Sequence, residues 1–297
     1  MKDISTSPRI LEIRRKRRIR KIWKIVFFIV LFFLVIAGLA LLSENRKMKV
    51  ESIVVEGNHI IDEDEIKKEI DKSISGKYLY LFSRSNSLIY PHKKIYDNLL
   101  INFPRIESLV VKRNNFKTIQ ITIVERLGSF LYCGNDIPQN REDVGENCYF
   151  VNNDGFIFDE APYFSGNIYF KYYLNLKDET KIIGQQMIKK EDFHEMTRFI
   201  DNITNLGFKP IYIVMNKEET NYLYLKHEIN SSVPKIIFKN NTDPDIIYED
   251  LSLSMEKKEF ADEINSKYNT LLYIDLRFKN KILYKFSTQG GSVQEKQ

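Results

Sequence analysis

Eighteen consecutive apolar residues, 25–42, carry no charge and constrain this 297-residue chain more than any other feature. As a helix rising ~1.5 Å per residue the run spans ~27 Å, close to the hydrocarbon thickness of a bilayer. Lys21, Trp23 and Lys24 stand at its head, and Glu44, Asn45, Arg46 and Lys47 follow its end. The pattern predicts one membrane-spanning helix over 25–43. A cleaved signal peptide is the competing reading, because Ala37-Gly38-Leu39-Ala40 offers small residues at plausible cleavage positions. A signal core is usually 7–15 residues, however, so an uncleaved anchor is expected.

The first 24 residues hold ten Lys or Arg against Asp3 and Glu12, a net charge of +8. Since the whole chain is +5, everything after this head is −3, and the basic character belongs to the head alone. Cationic flanks of a first membrane helix stay in the cytoplasm, so the body should lie outside it. Trp23 is the only aromatic residue among these charges, which speaks against a nucleic-acid-binding arm. A role at anionic lipid headgroups is the simpler reading.

Cys133 and Cys148 are the two cysteines, separated by 14 loop-like residues. In an oxidising compartment they would form a disulfide contributing ~3 kcal/mol at this loop size. Two free thiols remain the alternative in a reducing one. With no nearby His, the pair does not suggest zinc.

The body reads as two units. In the first, residues 50–55 predict a strand ended by Gly57-Asn58. Asp62 with Glu65 three positions on forms a capping-box pattern. Ile61, Ile66, Ile70 and Ile74 then follow at helical spacing. Pro91 opens a second helix with Ile95, Leu99 and Phe103 on one face, and Pro104 stops it. Two strands follow, one with Leu109 and Val111 on a face, the other with Ile119, Ile121 and Ile123. The expected order is β-α-α-β-β over 48–126.

In the second unit, Asn153-Asp154-Gly155 predicts a hairpin with a type I′ turn. Helices are expected at 189–206 and 245–265, and strands at 211–215, 222–225, 235–238, 270–278 and 281–286. Residues 287–297 read as a disordered tail. The fold class is α+β: an N-terminal transmembrane helix, a β-α-α-β-β unit, then a mixed β domain with flanking helices over 127–286.

This order of parts resembles the bacterial FtsQ/DivIB cell-division family. Val50-Glu51-Ser52-Ile53-Val54-Val55-Glu56-Gly57-Asn58 and the helix after it resemble the opening of an FtsQ-type POTRA domain. Phe103-Pro104-Arg105-Ile106-Glu107-Ser108-Leu109-Val110-Val111-Lys112-Arg113 and Ile119-Gln120-Ile121-Thr122-Ile123-Val124-Glu125-Arg126 resemble its end. Tyr149 to Phe158 is similar to the hairpin opening the family's β domain, and Tyr273-Ile274-Asp275-Leu276-Arg277-Phe278 to its terminal aromatic-x-Asp-Leu-Arg-aromatic strand. Where the family usually has a Pro after the Glu-Arg pair, this chain has Leu127-Gly128.

His59, His92, His194 and His227 fall in separate elements without metal-ligand spacing, and no nucleophile motif occurs. No catalytic activity, cofactor or metal is therefore expected. The resemblance implies a non-enzymatic divisome scaffold that recruits the FtsB–FtsL pair, contacts other division proteins and helps regulate septal wall synthesis. It would be a single-pass protein at the division septum, with its N-terminus cytoplasmic. By the same resemblance Arg277 offers an ion-pair donor and Phe278 an aromatic contact, while Asn280, Leu283 and Tyr284 line an added partner strand. Residues 281–286, the last strand, suit an exposed sheet edge. The alternative is a POTRA-containing translocation or assembly protein, disfavoured because no barrel of alternating lipid-facing strands follows.

Overall fold

The computed structural model describes residues 8–135, 147–164, 166–216, 219–227, 233–279 and 281–287. The chain divides into two compact units, 1–125 and 126–297. The expected tail, 287–297, lies outside the described residues apart from Ser287.

The first unit opens with α1 (Pro8–Ser43), a single helix. It begins well before the apolar run, since Lys and Arg are good helix formers and Pro is tolerated only in a helix's first turn. Ile25, Phe28, Phe32, Leu34 and Leu41 are each more than half exposed, as lipid-facing side chains must be. Among the described residues, the 15–43 stretch of α1 is the one helix long and apolar enough to cross a membrane.

Strand β1 (Ser52–Glu56) leads through Gly57 to α2 (Glu63–Ile74). Asp62 caps α2 by accepting from the N–H groups of Asp64 (2.7 Å) and Glu65 (3.3 Å). Ile66, Ile70 and Ile74 form its buried stripe. Between α2 and the next helix lies a short hairpin that the hydrophobic pattern does not foretell, β2 (Lys77–Tyr78) and β3 (Phe82–Ser83). Then come α3 (His92–Asn102), β4 (Ile106–Arg113) and β5 (Thr118–Glu125). The sheet order is β1-β5-β4, with β1 parallel and β4 antiparallel to β5. The alternating Ile119, Ile121 and Ile123 meet Ile66, Ile70, Ile95 and Leu99 in one core. Gly57 has φ +85°, and a Cβ there would sit 2.2 Å from the Ile123 carbonyl oxygen, so only glycine fits.

Among its described residues the second unit is built on a nine-stranded mixed sheet. Its strands are β6 (Phe130–Tyr132), β7 (Tyr149–Val151), β8 (Ile157–Glu160), β9 (Phe170–Leu174), β10 (Pro210–Met215), β11 (Thr220–Leu225), β12 (Lys235–Lys239), β13 (Leu271–Phe278) and β14 (Lys281–Phe286). They run in the order β14-β13-β12-β11-β10-β9-β6-β7-β8. Helix α4 (Lys190–Asn205), α5 (Pro244–Met255) and α6 (Lys258–Ser266) supply Phe193, Phe199, Ile203, Leu251 and Ile264 to the core beneath Tyr172, Ile213, Leu223, Ile236 and Ile274.

Two expectations are corrected here. The helix expected over 245–265 is two helices, broken where Glu256 and Lys257 donate back to Ser252 and Ser254. At ~100° per residue Leu251 and Ile264 would point ~140° apart on a straight helix, and the break lets both reach the core. The Asn153-Asp154-Gly155 turn is not type I′: of its three residues only Gly155 takes positive φ, 79°. The Gly155 N–H closes on the Asn152 carbonyl at 3.1 Å, a type I turn followed by a left-handed glycine. Asn152 Oδ1 accepts from the N–H groups of Asp154 (3.0 Å) and Phe156 (2.9 Å) and makes that geometry the cheaper one.

Cys133 and Cys148 are joined as a disulfide with their Cα atoms 4.2 Å apart. They occupy the cross-strand position next to the Tyr132–Tyr149 pair of β6 and β7, so the bond continues that ladder. Most of the loop they close, 136–146, lies outside the described residues. Gly128 lies under the Phe150 ring, where a Cβ would come within 2.3 Å, which accounts for a glycine two residues past the Glu-Arg pair.

Candidate functional site

Strand β14 pairs with β13 on one side only, and among the described residues no strand lies on its other side. Its outer N–H and C=O groups are therefore available for pairing. Alternation along the strand sorts its side chains. Ile282, Tyr284 and Phe286 pack against the helix-covered core, which leaves Lys281, Leu283 and Lys285 for the opposite face.

The Tyr284 hydroxyl donates to Glu263 Oε2 of α6 at 2.8 Å, and its ring meets Phe260 (5.2 Å) and Phe286 (5.7 Å) edge-on. Burial first, then the Glu263 hydrogen bond and charge, raise the Tyr284 pKa, so the phenol stays protonated. Tyr284 thus fixes β14 to α6 while its partly exposed side chain lines the groove beside the edge.

Arg277 is engaged within the chain. Asp275 is only 4% exposed, and its carboxylate receives the Arg277 guanidinium through Nε (2.9 and 3.1 Å) and Nη2 (2.6 Å) as well as the Arg277 backbone N–H (3.0 Å). The Asp275 hydrogen bonds raise the Arg277 pKa further. A carboxylate this buried needs its counter-ion, so the arginine side chain satisfies Asp275 before any partner. Phe278 stands beside the guanidinium, 5.9 Å from ring centre to Cζ, and is 48% exposed. Leu283, paired with Asp275 across the ladder, is half-buried. Asn280 lies outside the described residues.

A groove of about 320 Å³ runs beside the edge, lined by Leu253, Ser254, Lys257, Phe260, Ile282 and Tyr284 among others. Leu253 is 53% exposed along it. The sequence pattern points to the strand but not to this groove. Its lining comes from α5, α6 and β14, and only the tertiary packing brings them together.

Another site residue missed by pattern is Glu125. Its sequence position suggests a solvated strand end or a junction between units. In the structure Oε1 accepts three successive backbone N–H groups, from His59 (2.7 Å), Ile60 (3.0 Å) and Ile61 (3.0 Å). Burial alone would raise the Glu125 pKa, but these donors, with Arg105 nearby, more than offset it and the pKa falls below its usual value. A carboxylate held this way pins the loop between β1 and α2.

His194 is taken up by Asp154, which also pairs with Lys190 on α4. Among the described residues no group of three or more His, Cys, Asp or Glu is arranged to hold a metal ion.

Residues 48–126 match the family model described as POTRA domain, FtsQ-type. No curated protein matches the chain. Domains of this type generally serve as scaffolds and are found in cell-division proteins. An FtsQ-type POTRA domain set behind one N-terminal apolar helix is consistent with a member of the FtsQ/DivIB family of bacterial cell-division proteins.

Proposed function

We propose that this protein is a non-enzymatic divisome scaffold that captures the FtsB–FtsL pair by adding a partner strand to β14, and that through this complex it helps time septal wall synthesis. The observation that carries the reading is the open edge of the nine-stranded sheet, flanked by a groove and by the exposed Phe278. An added strand would gain main-chain hydrogen bonds along the edge and seat alternate side chains in that groove. The +8 head supports a cytoplasmic N-terminus and an extracytoplasmic body, which puts the edge on the side where the septal wall is made.

The test is site-specific photo-cross-linking of the full-length protein in dividing cells, with the photoreactive residue at 281 or 285. Adducts with small single-pass division proteins, lost when Leu283 is replaced by Asp, are expected. Adducts with secreted or outer-membrane clients in their place would transfer the protein to an assembly role. The double change at Arg277 and Tyr284 is a poorer probe, since both side chains hold the fold together.

A further inference from the structure

We propose that the segment 79–89 is a second membrane contact, a hairpin foot that dips into the leaflet into which the C-terminal end of α1 emerges. The inference rests on α1 crossing the bilayer and goes beyond the partner-binding reading.

Three side-chain contacts fasten this segment to the end of the helix. Asn86 Nδ2 donates to the Ser43 carbonyl (3.0 Å), the Ser83 N–H donates to the Ser43 hydroxyl (3.2 Å), and Lys77 pairs with Glu44. Ser43, Ser83 and Asn86 are all buried at this junction. Leu39 and Leu42 of α1 share an apolar cavity of about 390 Å³ with Met48, Phe82, Leu88 and Ile89. Leu39 lies four residues, ~6 Å, before Ser43, so Phe82, Leu88 and Ile89 stand at the depth of the last helical turn. The apolar run ends at Leu42, which makes this the level where hydrocarbon gives way to headgroups.

The side chains suit that level and are poorly suited to water. Leu79 is 84% exposed, Tyr80 95%, and Leu81, Leu88 and Ile89 each more than 40%. Five large apolar side chains at this exposure within one eleven-residue segment mark a contact site. The backbone points the same way. Leu79 (φ 49°) and Tyr80 (φ 63°) are consecutive left-handed residues, closed by the Leu81 N–H on the Tyr78 carbonyl at 2.9 Å. Asn-Gly ordinarily fills such a turn, and Leu-Tyr there is strained with no core burial to compensate. Lipid supplies that compensation. Tyr is a residue of membrane interfaces, and Arg46 and Lys47, just past the end of α1, add cationic groups suited to phosphate headgroups.

The full-length protein in phospholipid proteoliposomes tests this, because Trp23 is its single tryptophan. In a Trp23→Phe background, Tyr80→Trp should show blue-shifted emission, quenched several-fold more by lipids brominated on the acyl chains than by aqueous acrylamide. Leu88→Trp is the second variant if the strained turn does not tolerate tryptophan. Quenching by acrylamide and not by lipid overturns the proposal, as does shielding from both, which would mean a protein covers the segment. Wild-type Trp23 reports the anchor separately. If Trp23 is lipid-quenched and position 80 is not, only the foot fails; if neither is, the anchor reading fails as well.

Discussion

Replacing Glu125 by Ala removes the acceptor on which three successive N–H groups converge, and the structure sets the size of the loss. Hydrogen bonds to a charged group contribute ~1.5–3 kcal/mol each. His59 and Ile60 are exposed, so water can take over their bonds, whereas Ile61 is buried and its N–H is left without a partner. The net cost to the loop between β1 and α2 should be ~2–3 kcal/mol, a ~30- to ~150-fold loss of hydrogen-exchange protection at residues 59–61. Exchange followed by mass spectrometry on the full-length protein in detergent, normalised to intrinsic rates, measures it. The pH dependence follows from the direction of the shift. The folded pKa of Glu125 is depressed, so its contribution is complete above the unfolded value of ~4.3 and is lost as pH falls through the folded value. The gap between wild type and E125A should therefore narrow at acid pH. Unchanged protection at neutral pH, or a gap that persists in acid, would refute the role given to this carboxylate.

Gly57→Ala should destabilise the first unit by ~2 kcal/mol or more, because its φ of +85° and the 2.2 Å approach to Ile123 O leave no room for a methyl group; a lower urea midpoint with unchanged slope would show it. Phe199→Ala empties a fully buried position that meets Phe238 at 5.2 Å, and should cost ~3–5 kcal/mol in the second unit. Without reductant the intact mass should be two hydrogens below that of the reduced protein, and reduction should lower thermal stability by at most ~3 kcal/mol; an unchanged mass would mean two free thiols.

Much of this protein follows from local pattern. The anchor needs only an uncharged apolar run of bilayer length, and α2 needs only its Asp62 cap and its isoleucines at helical spacing. Such features depend on neighbours within a turn or two of chain, so they survive into any tertiary setting. Strand β9 shows where that stops. Phe170–Leu174 carries a charge at its second position, yet Lys171 is 3% exposed in a strand that β6 and β10 flank on both sides. The hairpin at 77–83 is equally unmarked, since its turn uses Leu-Tyr where pattern expects Asn-Gly.

The division between the two kinds of information is physical. Residue order fixes periodicity, caps and turn chemistry, and with them the membrane helix, the first unit and the position of the last strand in the chain. Only the tertiary structure decides which strand is left at the edge, that Arg277 is taken up by Asp275 and Tyr284 by Glu263, and that Glu125 reaches back 64 residues to hold Ile61. Those outcomes depend on sheet register and on side chains far apart in sequence, and no local spacing encodes them.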